Sequence, residues 1–121
     1  MIAAKEFSSP KLELRRVVLF TNDLEVMRRF YGQILGLTEI GYEPGWIDFD
    51  AGYCRIALHK GKSEVGTKPP KLVFYAEDIA AARQLLIERG AKMSKLLDAE
   101  TFQMCDGKDP DGNRFQISSR E

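Results

Sequence analysis

Arg16 and Lys71 stand 55 residues apart and open two similar stretches, Arg16-Val17-Val18-Leu19-Phe20 and Lys71-Leu72-Val73-Phe74-Tyr75. Alternation along a strand puts Arg16, Val18 and Phe20 on one face, and Lys71, Val73 and Tyr75 on the equivalent face of the second stretch. The same parity groups Trp46 with Asp48, Arg55 with Ala57 and His59, and Arg114 with Gln116 and Ser118. A guanidinium clamps a carboxylate or phosphate through two parallel hydrogen bonds, and an ammonium holds one as a point charge. Phe20, Trp46 and Tyr75 add flat apolar faces, so this mixture suits an anionic or aromatic small molecule. His59, the only histidine, is one candidate general base, with Asp48 and Lys71 the others. Each residue also has a plainer use: Arg16 and Lys71 solvated or paired with Asp48, His59 on an edge strand, Trp46 in the core.

The elements that must position these groups repeat. Leu12–Thr21 is β-rich and alternating, Asn22-Asp23 supplies helix-capping chemistry, and apolar residues at 24, 27, 30, 31, 34 and 35 form a helical stripe stopped by Gly36. Three short strands follow, around Glu39–Tyr42, Gly45–Asp50 and Tyr53–His59. Residues 61–70 lack periodicity, end in two prolines and read as a linker. The order then restarts with Lys71–Ala76, a helix start at Asp78, a stripe of Ile79, Ala82, Leu85 and Leu86 ended by Gly90, and weaker strands around Met93, Phe102 and Phe115. At the same offset of 55, Asp23-Leu24 falls on Asp78-Ile79 and Arg28 on Arg83. The pattern predicts β-α-β-β-β written twice in one domain spanning 1–121: module 1 over about 12–60, module 2 over about 71–119, helices near 23–35 and 78–89. The facing of the strand around Phe102 stays open.

Lys plus Arg and Asp plus Glu both number 18, so no bulk charge argues for nucleic acid or an anionic membrane. Two cysteines, Cys54 and Cys105, both in predicted strands, read as reduced buried thiols of a cytoplasmic protein. Residues 1–11 read as a loose arm without the apolar segment of a signal peptide, and no apolar run approaches the ~20 residues of a membrane span.

Near the end, Asp109-Pro110-Asp111-Gly112 carries the preferred residues of a type I turn, followed by the alternating strand Arg114-Phe115-Gln116-Ile117-Ser118. This turn and strand, the duplicated order and the helix-start aspartates together resemble the vicinal oxygen chelate superfamily over residues 12–119: glyoxalases, bleomycin- and fosfomycin-resistance proteins and extradiol dioxygenases. The resemblance implies an α+β fold, two modules forming a curved mixed sheet around a shared cleft with the helices outside. Metal-binding members hold one divalent ion on four cleft-facing His or Glu side chains. Carried over, those positions are Arg16, Ala57, Lys71 and Gln116. Arginine and lysine offer a metal no free lone pair, alanine offers nothing, and only Gln116 could lend an oxygen. The expectation is therefore no metal and no other cofactor.

Three functions compete. The first is a metal-free binding protein of the bleomycin-resistance type, its ligand touched by Arg16, Phe20, Trp46, Asp48, Arg55, His59, Lys71, Tyr75, Arg114 and Gln116. The second is a metal-independent lyase- or isomerase-type enzyme using His59, Asp48 or Lys71 as base. The third is a dimerisation or interaction domain without ligand. The first is preferred, with a second copy of the chain as partner. Whether the cleft forms within one chain or across two is open.

Overall fold

The structure, a computed structural model, describes residues 11–121. Of the arm expected over 1–11, all but Lys11 therefore lies outside the described residues. The element order is β1 (Arg16–Thr21), α1 (Leu24–Arg29), β2 (Thr38–Glu43), β3 (Trp46–Asp50), β4 (Arg55–Lys60), β5 (Lys71–Tyr75), α2 (Ile79–Glu88), β6 (Leu97–Asp98), β7 (Gln103–Lys108) and β8 (Arg114–Ser118). The α+β class and the doubled β-α-β-β-β order are as expected. Each module builds one four-stranded sheet, β1-β4-β3-β2 and β5-β8-β7-β6. The first strand of each module pairs in parallel with its last, and the remaining pairs are antiparallel.

Both helices start as the sequence dictates. The Asp23 carboxylate accepts from the Val26 N–H at 3.1 Å and that of Asp78 from the Ala81 N–H at 3.0 Å. The end of the first helix was not foreseen. Phe30–Ile34 widens into a π-helical turn, closed by the Leu35 N–H on the Phe30 carbonyl at 2.8 Å. This turn lets two consecutive aromatics, Phe30 and Tyr31, both be buried. The Phe30 ring meets Phe115 of β8 at 5.8 Å between centroids. Tyr31 donates its hydroxyl proton to the Asp109 carboxylate at 2.7 Å, a bond between the modules.

One core serves both modules. Met27, Phe30, Tyr31, Ile47, Phe49 and Leu58 of the first join Ile79, Leu86, Cys105, Phe115 and Ile117 of the second in a single buried cluster. These residues use one row of each strand, which leaves the other row for polar groups.

Three local readings change. Leu12–Arg15 has no regular structure, so β1 starts at Arg16. The strand around Met93 reduces to a single bridge with Gly107. Beyond it the Ser94 carbonyl is taken by side chains, Arg83 Nε at 2.8 Å and Cys105 Sγ at 2.9 Å, rather than by a strand neighbour. Cys54 is half-buried in the bend before β4, while Cys105 is buried in β7; both are free thiols. Among the described residues no helix is long and apolar enough to cross a membrane.

Candidate functional site

The row of module 1 that faces away from its helix gathers all six of its predicted site residues. β1 and β4 register Arg16 beside Arg55 and Phe20 beside His59, and β3 and β4 register Trp46 beside His59 and Asp48 beside Ala57. Asp48 is only 5% exposed, so its charge needs a partner. Arg16 supplies one, with Nη2 donating to Oδ2 at 3.2 Å and Nε to Oδ1 at 3.5 Å, and Arg55 Nη1 lies 3.6 Å from Oδ2. The Arg16 guanidinium also sits 5.6 Å from the Trp46 ring centroid, within cation–π range. His59 is exposed and lies between two aromatics, 5.3 Å from Phe20 and 5.5 Å from Trp46. The result is two guanidiniums on one carboxylate beside an aromatic wall.

Module 2 repeats the arrangement with different residues. Lys71 is registered beside Arg114, and Asp106 beside Gln116. Lys71 Nζ lies 3.2 Å from Asp106 Oδ1, and Gln116 Nε2 donates to the same oxygen at 2.9 Å. Burial alone would raise the Asp106 carboxyl. The hydrogen bonds from Gln116 and Lys71, with the charges of Lys71 and Arg114, outweigh it and hold the group below the usual carboxylate range. Tyr75 stands exposed on the same face.

Asp106 is the residue that sequence reasoning missed. A signal for it existed: the Asp109–Asn113 turn makes Lys108 and Arg114 flanking partners, and counting back two sets Asp106 opposite Gln116. Asp48 was named as the group that could offset Arg16, and it does so; the counter-charge of Lys71 is Asp106.

The two faces belong to separate sheets, and among the described residues the charge pairing of each stays within its own module: Asp48 with Arg16 and Arg55, Asp106 with Lys71 and Gln116. Phe20, Val73 and Tyr75 are each about half exposed. The space between the modules is a groove of about 690 Å³ lined by helix-side apolar groups such as Val17, Ile56, Leu72 and Ile117. Apart from Tyr75, the candidate site residues stand on the other rows of their strands and do not line that groove.

A divalent ion does not fit the four positions that resemblance assigns to it. Arg16 and Lys71 are cations already paired with Asp48 and Asp106, Ala57 has no donor and is fully buried, and the Gln116 amide is turned to Asp106. Among the described residues, no three His, Cys, Asp or Glu side chains come together as a ligand set.

A family profile described as "Glyoxalase/Bleomycin resistance protein/Dioxygenase superfamily" matches residues 13–117. Solved structures share the fold. A glyoxalase/bleomycin resistance protein/dioxygenase from Nocardioides has a TM-score of 0.80 at 20% identity, covering 95% of this chain and 87% of that one. A glyoxalase family protein from Bacillus anthracis has a TM-score of 0.78 at 21% identity, covering 94% and 99%. TnmS3, an antibiotic binding protein from Streptomyces sp. CB03234, has a TM-score of 0.74 at 20% identity, covering 91% and 97%. No curated protein sequence matches. At these identities the structural likeness speaks for the fold alone.

Proposed function

The chain belongs to the Glyoxalase/Bleomycin resistance protein/Dioxygenase superfamily, and from that premise we propose that it binds a small organic anion with an aromatic body, without a divalent metal. The observation that carries this reading is the Arg16–Asp48–Arg55 group. Two guanidiniums against one buried carboxylate leave one positive charge beside Trp46, His59 and Phe20. A carboxylate or phosphate can take the guanidinium edge while an aromatic body stacks on the wall. Lys71, Arg114 and Gln116 around Asp106 supply an equivalent half-site, with Tyr75 as its aromatic neighbour. The antibiotic-binding neighbour supports a binding role by analogy of fold only.

A panel of small aromatic acids, each with its neutral amide or alcohol, tests this by thermal shift. The acids are expected to raise the melting temperature in a saturable way and the neutral analogues to leave it in place. No shift with any acid, or equal shifts with acid and neutral analogue, would contradict the reading.

A second copy of the chain is the partner we propose to complete the site. β1 and β5 end their sheets with an open edge, and both carry exposed apolar groups, Val18 and Phe20 on one, Val73 and Tyr75 on the other. The remaining edges are protected: β2 is bulged near Gly41 and β6 has two residues. A partner laid along β1 and β5 would cover those edges and close the half-sites over a ligand. Light scattering is expected to give a dimer mass at tens of micromolar, and a monomer mass there would remove this part.

A catalytic reading has one observation in its favour. Asp48 and Lys71 are committed to ion pairs, whereas the His59 ring makes no side-chain hydrogen bond among the described residues. His59 is thus the group left to act as a base toward a ligand on this face, detectable as substrate turnover in the presence of a chelator.

A further inference from the structure

We propose that the chain carries a second anion site, for a phosphate-bearing small molecule, in the cavity beside the β7–β8 hairpin. This cavity, about 920 Å³, lies among the linker around Thr67, the segment after α2 and the facing ends of β7 and β8. That volume is within the range of pockets that hold drug-sized ligands. No residue of the Arg16–Trp46–His59 face lines it.

Its walls carry three cations, Lys92, Lys108 and Arg114, and none of them is in an ion pair among the described residues. Two carboxylates also line the cavity, and both are already engaged. Asp106 is held by Lys71 and Gln116. Asp109 accepts from the Tyr31 hydroxyl, the Asn113 amide and the main-chain N–H groups of Asp111 and Asn113. Lys71, the partner of Asp106, brings the cations to four, and Asp111, between the lining residues Pro110 and Gly112, brings the carboxylates to three, an excess of one positive charge. A phosphate group offers three oxygens to the three unpaired cations of the wall, where a carboxylate offers two. Arg114 can take two phosphate oxygens at once, the two lysines add point charges, and the Thr67 and Ser94 hydroxyls on the wall can donate to the rest. Gly112 leaves main chain open to close approach at the hairpin end, with no side chain within 4 Å of where its Cβ would stand.

The site shares Arg114 with the module 2 half-site, so the deciding variants lie elsewhere. Lys92 and Lys108 are exposed, and Lys92→Gln with Lys108→Gln should leave folding intact, as checked by its melting temperature without ligand. Calorimetric titration of the full chain with inorganic pyrophosphate and with glycerol phosphate, neither of which has an aromatic body for the Arg16 face, is the experiment. Saturable binding is expected in the wild type, weakened about tenfold in the lysine double variant and retained in Arg16→Ala. Binding unchanged by the double variant, or no saturable binding of either probe, would overturn the site. So would association with phosphatidylglycerol vesicles and with neither soluble phosphate, since that outcome assigns the cations to a lipid surface. Failure of aromatic carboxylates to bind the Arg16 face would leave this result untouched.

Discussion

Asp109→Ala is expected to cost about 3–5 kcal/mol of folding stability, because each buried donor stripped of its acceptor costs roughly 1–3 kcal/mol and this carboxylate serves several. Asp109 is 5% exposed and sits at the first position of the turn closed by the Gly112 N–H on its carbonyl at 2.9 Å. Oδ1 accepts from the N–H groups of Asp111 and Asn113, both at 2.9 Å. Oδ2 accepts from the Asn113 amide at 2.8 Å and from the Tyr31 hydroxyl at 2.7 Å. The turn donors can regain water in the variant, whereas the Tyr31 hydroxyl, on a residue with no exposed surface, cannot. A loss of this size is a large share of the ~5–15 kcal/mol that holds an ordinary domain folded. Urea denaturation measures it, and a loss below about 1 kcal/mol would show that the bond between modules is incidental. Tyr31→Phe, which removes only the cross-module donor, should fall nearer 1–3 kcal/mol.

The same pair has a pH signature. Burial raises the Tyr31 phenol far above its ordinary value, reinforced by the charge and hydrogen bond of Asp109 and by the charge of Asp111. A folded-state value above the unfolded one means the stabilisation is complete below about pH 10 and is lost as pH rises beyond it. Wild type should therefore lose stability above that pH more steeply than Tyr31→Phe does.

Arg16→Ala is expected to weaken binding of a small aromatic acid by about 2–3 kcal/mol, the scale of lost charge-assisted hydrogen bonds, or roughly 30- to 150-fold. Its loss also leaves Asp48 with Arg55 alone at 3.6 Å, so the face changes from a net cation to a balanced pair. A neutral analogue should be barely affected. Arg16→Lys keeps the charge and loses the fork, so it should rescue part of the affinity and none of the bidentate geometry. Equal melting shifts by the acid in wild type and in the Arg16→Ala, Lys71→Ala pair would show that these cations are ordinary surface charge.

Where a feature depends on local chemistry, the sequence was readable. The capping aspartates, the glycines that end both helices and the Asp109–Gly112 turn each act within four residues, and each is where the pattern put it. Strand parity sorted Arg16, Trp46, Asp48, Arg55 and His59 onto one face because it needs no knowledge of partners. Features set by distant partners were hidden. The second role of Asp109 depends on Tyr31, 78 residues earlier, and on a π-turn that no residue type announces. Asp106 needed the hairpin register before its face could be known. The packing of both helix-side surfaces into one core is likewise a matter of distant partners, which a strand-by-strand reading does not contain.

The central claim is that this face takes an organic anion without a divalent ion, and calorimetric titration under chelation tests it most directly. Protein dialysed against EDTA would be titrated with the best aromatic acid of the panel, then again after adding zinc or manganese. The account predicts saturable binding in EDTA, unchanged by either metal and weakened in Arg16→Ala by the factor given above. Binding or turnover that appears only when the metal is added would contradict it.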